Sequence, residues 1–379
     1  MPIPCLASST ALLTLVLAGG ALPPRLRLLR QFSDAAAALR AGPTAWRAAG
    51  CTQAQRARLA LPDERYLAHA LAWLAEEHHH LLGVTDPDYP ALLTQIEEPP
   101  VALFVDGDPA RLWHPAVAVV GSRSPTAGGR EHAHAFATAL AGEGWSVISG
   151  LAAGVDAHAH DGALQVTGGM TVAVVATGLD QTYPPRHAAL HERIAGIGAV
   201  VSEYAPGMPA TQAHFPARNR IIAGLSLGTV VIEAAERSGA LITARCAAEA
   251  GREVFALPGS IRNPRARGCH RLIRQGAALV EAPAEVTAGL ATLAQTLAGA
   301  LRTRLDAPTE QARPAPERAP SYTDPDYQCL WKALDHDPTG MDSLIQRSGL
   351  TAAQLSAMLL VMELDGKVMA AYGRYCRKP

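Results

Sequence analysis

Six short apolar runs, each followed by a glycine-containing turn and then a helix-patterned stretch, fill the middle of the chain. They are Ala116–Val120, Ser146–Ser149, Thr171–Ala176, Ala199–Ser202, Thr229–Ile232 and Glu253–Leu257. Repetition of this unit is the signature of a parallel sheet covered by helices on both faces. The predicted core is therefore a doubly wound α/β domain. In such a sheet ligands bind outside the carboxyl ends of the strands, where loops and helix N-termini converge.

The flanks read differently. From about residue 8 to 80 the pattern is helical: Leu12, Leu13, Leu15 and Val16 share one apolar face, and Leu26, Leu28 and Leu29 begin another. Gly19–Gly20, Pro23–Pro24 and Gly42–Pro43 punctuate these helices. Around residues 302–322, Pro308, Pro314, Pro316 and Pro320 lie among polar and charged residues and predict a linker. Beyond it, helices are expected near Asp326–Leu334, Met341–Ser348 and Thr351–Leu364, then a hairpin at Gly366–Tyr375, the element order of a winged helix. The expected boundaries are 1–82 for the helical domain, 83–300 for the α/β core, 301–322 for the linker and 323–379 for the winged helix.

Charge excludes little: 33 Lys and Arg against 34 Asp and Glu leave a net −1, so any basic surface must be local. Only Lys332, Lys367 and Lys378 are lysines; nearly every cation is an arginine, whose planar fork suits phosphate. The six cysteines are scattered without a C-x-x-C pair, which argues against a zinc site or a disulfide framework and fits a reducing, cytoplasmic setting. The apolar run Ala11–Ala18 is too short to span a bilayer and reads as a buried helix. No membrane association, metal or cofactor is expected.

The turns after the runs carry the unusual residues. Gly121-Ser122-Arg123 combines a tight turn, a hydroxyl and a guanidinium in a phosphate-shaped loop. Ser149 and Gly150 open a second glycine-rich turn, where backbone amides can approach a ligand closely. Arg186 follows Tyr183-Pro184-Pro185, and Phe215 precedes Arg218, Asn219 and Arg220: a ring beside arginines is a combination that stacks a base and neutralises its phosphate. Ser238, Gly239 and Thr243 offer donors at a helix N-terminus. Asp156, Asp180 and Glu203 sit on three separate loops and are expected to cap turns rather than hold a metal. His78-His79-His80 is expected to be a solvated helix end, since adjacent helical residues point apart. No G-x-G-x-x-G follows the first run and no Walker A loop exists, so a standard dinucleotide site and ATP hydrolysis are not expected.

Seven ordered stretches resemble the DprA/Smf family of DNA-processing proteins: Gly121–Thr126, Ser149–His160, Thr177–His187, Ser202–Gly207, Phe215–Ser226, Ser238–Gly259 and Arg267–Ala277. The resemblance is strong over about 85–290. The segment Leu12–Cys51 is similar to the sterile-alpha-motif-like or helix-hairpin-helix-like domain of many members, and the C-terminal unit to their winged helix. The resemblance implies an extended Rossmann-like core that dimerises, with the dimer surface around Leu272–Val280. It also implies single-stranded DNA binding without catalysis, loading of the RecA recombinase during natural transformation, protection of incoming DNA, and dealings with single-strand-binding protein. Carried over, Gly121, Ser122 and Arg123 hold a phosphate, Arg186 is the basic residue after the Tyr-Pro turn, and Phe215, Arg218, Asn219 and Arg220 line the groove. Thr351–Leu364, which would be the recognition helix, has no Arg or Lys, so a packing or protein-contact role is expected for it over sequence-specific reading of duplex DNA. Two other classes compete: a phosphoribohydrolase-like enzyme, whose P-G-G-x-G-T-x-x-E loop Pro258–Arg262 does not complete, and a transcription regulator resting on the winged helix alone.

Overall fold

The computed structural model describes residues 3–32, 34–306, 325–334, 339–351, 355, 358–359, 362, 367–371 and 374–377. The chain forms two compact units, residues 1–304 and 305–379. The first unit begins with helices α1 (Ile3–Leu17), α2 (Leu22–Phe32), α3 (Ala35–Arg40), α4 (Gly42–Ala48), α5 (Gln53–Ala60) and α6 (Glu64–Leu74). Leu13, Leu15, Leu28 and Leu29 are fully buried, as the apolar faces require. Arg25 is also buried, and its guanidinium donates to the carbonyls of Leu15, Val16, Gly20 and Ala21, so it closes the end of α1 onto α2. Burial pulls its pKa down to about 10.

An α/β layer follows. It comprises β1 (His79–Gly83), α7 (Ala91–Thr94), β2 (Ala102–Gly107), β3 (Ala116–Val120), α8 (Ala127–Gly142), β4 (Ser146–Ser149), α9 (Val155–Leu164) and β5 (Met170–Val174). It continues with α10 (Ala188–Ile197), β6 (Ala199–Ser202), α11 (His214–Gly224), β7 (Gly228–Val231), α12 (Ala240–Glu249), β8 (Glu253–Ala256), α13 (Arg267–Arg274), β9 (Ala278–Leu279) and α14 (Pro283–Asp306). The strands pair in the order β1-β2-β6-β5-β4-β3-β7-β8-β9. All six expected strands are present and parallel. Three more lie outside the expected pattern: β1 and β2 extend one edge antiparallel, and the two-residue β9 ends the other. β1 and β2 lack the strand–turn–helix repeat because they form a long-looped hairpin, whose partners need no crossover helix.

Alternation along the strands builds two faces. Val117, Val119, Val147, Val230 and Phe255 pack under α8, α9 and α14, while Phe104, Ala173 and Val200 on the same face pack against α10 and the N-terminal helices. Ala118, Val120, Ile148, Val172 and Val201 face the other way, against α11, α12 and α13. The N-terminal helices and the sheet thus share one core. The expected boundary at 82/83 falls within β1.

The three histidines are not a helix end. His78 sits in a turn with φ 71°, and His79 and His80 open β1. His79 stacks on Trp73 at 3.8 Å and its Nδ1 lies 2.7 Å from the Trp73 carbonyl, so the ring is a packing element. α14 continues to Asp306, into the segment expected to be linker; the proline-bearing residues 308–320 lie outside the described residues.

The second unit contains α15 (Pro325–Ala333), β10 (Thr339–Gly340), α16 (Met341–Ser348), β11 (Val368–Ala371) and β12 (Arg374–Arg377), with the strands in the order β10-β12-β11. Much of the expected helix 351–364 lies outside the described residues. Its described members Leu355, Met358, Leu359 and Met362 are buried with Leu330, Leu344 and Val368 in this unit's own core.

Candidate nucleic-acid interface

The chain enters the parallel sheet at β3, winds outward through β4, β5 and β6, and returns to β7 on the other side of β3. The loops after β3 and β7 therefore part toward opposite faces, leaving a crevice at the carboxyl edge. Gly121, Ser122 and Arg123 occupy this switch point. A Cβ at Gly121 would lie 2.6 Å from Val155 Cγ2, so only glycine lets the loop sit this close to α9. Ser122 is held at both backbone ends: its N–H donates to Glu233 O at 2.7 Å, and its carbonyl accepts from Val155 N at 3.1 Å. Its hydroxyl accepts from Ser124 N at 3.1 Å. Arg123 then projects into solvent, with its guanidinium carbon 5.0 Å from the centre of the Phe215 ring.

Phe215 opens α11 and is half-buried; Tyr183, from the loop after β5, leans on it with ring centres 5.5 Å apart. Tyr183 is 48% exposed. Two rings and a guanidinium from three loops thus meet at one edge of the sheet. Tyr183 was not singled out in the sequence as a binding residue; its position next to the Pro184-Pro185 turn was the available signal. Arg186 is exposed on the same loop, and His187 Nδ1 lies 2.9 Å from Leu151 O, which ties that loop to the turn after β4.

The other candidates are placed differently. Ser149 is fully buried and its hydroxyl donates to Val119 O at 2.7 Å, a strand-to-strand bond. Gly150 makes room for Arg218: a Cβ there would fall 2.5 Å from Arg218 Nη1. Arg218 is only 4% exposed, and donates to the carbonyls of Gly150 and Val174 from beneath the loops. Burial lowers its pKa to about 10, countered by Asp156. Asp156 is itself buried, which raises its pKa, while Arg218 pulls it back. Asn219 is buried and donates to Gly239 O at 3.3 Å. Arg220 is committed elsewhere. Both its terminal nitrogens meet Glu203 at 2.7 Å, and its Nε donates to Glu98 O at 2.9 Å. Ser238, at the start of the turn before α12, accepts from Ala240 N at 3.3 Å; Gly239 is exposed, and Thr243 is buried.

The three carboxylates also have structural partners. Asp156 accepts from Ala152 N at 3.3 Å, and Asp180 from Gly207 N at 2.8 Å and lies 3.0 Å from His69 Nε2. Both cap turns, whereas Glu203 is an ion-pair partner of Arg220. Arg123, Tyr183 and Arg186 are therefore exposed beside the half-buried Phe215, while Ser149, Arg218 and Asn219 are buried. An exposed guanidinium beside accessible ring faces can pair with phosphate while the rings stack a base.

Residues 80–291 match the family model "DNA recombination-mediator protein A", and residues 313–374 the "DprA winged helix domain". Protein Smf of Escherichia coli is 39% identical over 331 residues, which are 86% of this chain and 85% of that one. DNA processing protein DprA of Streptococcus pneumoniae is 45% identical over 227 residues, 59% of this chain and 80% of that one. An X-ray structure of the pneumococcal protein superposes with a TM-score of 0.66 at 38% identity, covering 73% of this chain and 95% of that chain. DNA processing protein A from Helicobacter pylori, whose structure concerns its single-stranded DNA binding mode, superposes with a TM-score of 0.51 at 28% identity, covering 56% of this chain and 96% of that chain. The chain belongs to the DNA recombination-mediator protein A family, also called DprA/Smf.

Proposed function

We propose that this protein is a non-catalytic, sequence-tolerant binder of single-stranded DNA that acts as a recombination mediator in the cytoplasm. The observation that carries the reading is the cluster of Arg123, Phe215 and Tyr183 at the topological switch point, with exposed Arg186 on the Tyr183 loop. Every base has a π-face, so stacking on Phe215 and Tyr183 is indifferent to sequence, while the guanidinium takes the phosphate. A duplex hides its base faces and loses the stacking component. The structural partners of Asp156, Asp180 and Glu203 support a binding role over a hydrolytic one, because none is left poised as a general acid or base.

Family membership supports the finer parts of the proposal: loading of the RecA recombinase, protection of the strand, and contact with single-strand-binding protein. Dimerisation has a physical rationale at β9, the exposed edge strand of the sheet, where Leu279 is 49% exposed.

The test is fluorescence anisotropy with single-stranded and duplex oligonucleotides of equal length over a range of salt. Single strands should bind more tightly, with log affinity falling by about 0.7 per log salt for each phosphate contact. Arg123→Ala should flatten that slope without changing the denaturation midpoint. If neither single-stranded nor duplex DNA binds at moderate salt, the reading is overturned.

A further inference from the structure

The loop after β8 ends at the same carboxyl edge, and its sequence is unusual. Residues 254–280 hold five arginines, Arg262, Arg265, Arg267, Arg271 and Arg274, and no aspartate or glutamate. In the loop itself Arg262, Arg265 and Arg267 are exposed, and none is within ion-pair distance of a carboxylate among the described residues. Between them and the strand stands Ile261, 83% exposed. An isoleucine this far from the core contributes nothing to folding by burial.

The loop holds its own shape. Asn263 N donates to Ser260 O at 2.9 Å and Ala266 N to Asn263 O at 3.0 Å. Its neck is closed where a Cβ on Gly259 would meet Ala266 Cβ at 2.7 Å, and His270 Nε2 lies 2.9 Å from Gly259 O. The loop is also tied to the Arg123 loop through one buried carboxylate. Glu233 accepts from Thr126 N at 2.8 Å and from the Thr126 hydroxyl at 3.1 Å, just past Arg123, and from Asn263 Nδ2 at 2.9 Å in the β8 loop. β8 lies two strands from β3, which puts the two loops about 10 Å apart along the edge.

We propose that loop 258–267 is a second contact for the same single strand. Arg262 and Arg265 take phosphates next to those held at Arg123, Ile261 packs on a base face, and Glu233 sets the spacing between the two loops. The proposal rests on the single-strand reading of the Arg123 site. Continuity with that site, uncompensated positive charge and an apolar side chain set beside the guanidinium groups favour a nucleic-acid strand over an acidic protein segment, which presents no base faces.

The experiment uses the full chain and oligothymidylates of graded length, with Arg262→Ala/Arg265→Ala and Ile261→Ser compared with Arg123→Ala. These side chains are exposed, so the variants should keep the wild-type denaturation midpoint. Short oligomers that fill only the Arg123 site should bind the double variant as they bind wild type. Longer ones should lose several-fold, with the salt slope flattened by about 1.4 for two lost contacts. Ile261→Ser should weaken the longer oligomers without altering the slope. If Arg123→Ala weakens binding but the double variant matches wild type at every length and salt, the loop is no contact and only this proposal falls. An acidic protein partner would then be the occupant to seek. If wild type binds no single strand, or Arg123→Ala changes nothing, the site reading fails and takes this one with it.

Discussion

His160 shows how far a side chain's chemistry is set by residues remote from it in sequence. Its Nδ1 lies 2.7 Å from the Thr171 hydroxyl, which itself donates to Val147 O at 2.7 Å. The hydroxyl's proton is thus spent, so Nδ1 must carry the ring proton and Nε2 a bare lone pair, buried without a partner. Protonation would place a charge and an unsatisfied N–H in the core, and burial accordingly drives the pKa down to about 3. Between pH 6.5 and about 3 the unfolded chain holds the proton and the folded chain does not, so stability falls with falling pH across that window, by ~1.4 kcal/mol per unit at most. Urea titrations from pH 7 to 4 should show this slope and lose it in His160→Gln; an unchanged slope in the variant would remove His160 as the cause. The same remoteness explains which site residues were legible. Arg123 and Phe215 were readable because a glycine turn and a ring among arginines are local signals. The inward turn of Arg218 and Arg220 was not, because Gly150, Val174, Glu203 and Glu98 reach them only through the fold.

Among elements, the six parallel strands β3 to β8 were legible and the two edges of the sheet were not. β3 is buried along its whole length, so it reads as a continuous apolar run, and β4 through β8 repeat the strand–turn–helix rhythm. β1 begins with two histidines and β9 has two residues, so neither carries a period long enough to detect. The loops at the carboxyl edge depend on one another in a way that single elements do not reveal. Gly154 begins α9 with φ 87° and ψ −127°, a conformation open to glycine, and a Cβ there would sit 2.4 Å from Ser122 O. Gly154→Ala should therefore destabilise the protein by about 2–3 kcal/mol and also push the Ser122–Arg123 loop aside. Denaturant midpoints and anisotropy on one preparation would test both effects. Lost stability with wild-type DNA affinity would mean that the loop adapts and that Arg123 is not held by this contact.

For the whole molecule, the two ends of the chain should behave in opposite ways on removal. Unit 2 buries its apolar residues against one another, with Leu330, Leu344, Leu355, Leu359 and Val368 in a core of their own. Every candidate contact, from Arg123 to the 258–267 loop, lies in residues 1–304. A fragment ending at Arg304 should stay folded and bind single-stranded oligonucleotides within a few-fold of the full chain. The N-terminal helices have no such independence. They cover Phe104, Ala173 and Val200 on one face of the sheet, and α6 reaches the carboxyl-edge loops where His69 meets Asp180 and Tyr66 lies against Gly207. Removing residues 1–77 would expose that face, at about 1.5–3 kcal/mol for each large apolar side chain returned to water, a cost that for several side chains is comparable with the 5–15 kcal/mol margin of an ordinary domain. The deletion should yield insoluble protein or a form that binds hydrophobic dyes and melts without cooperativity. A soluble, cooperatively folding 78–379 fragment would show that the helices are an accessory domain; its DNA affinity would then measure what they add to the interface.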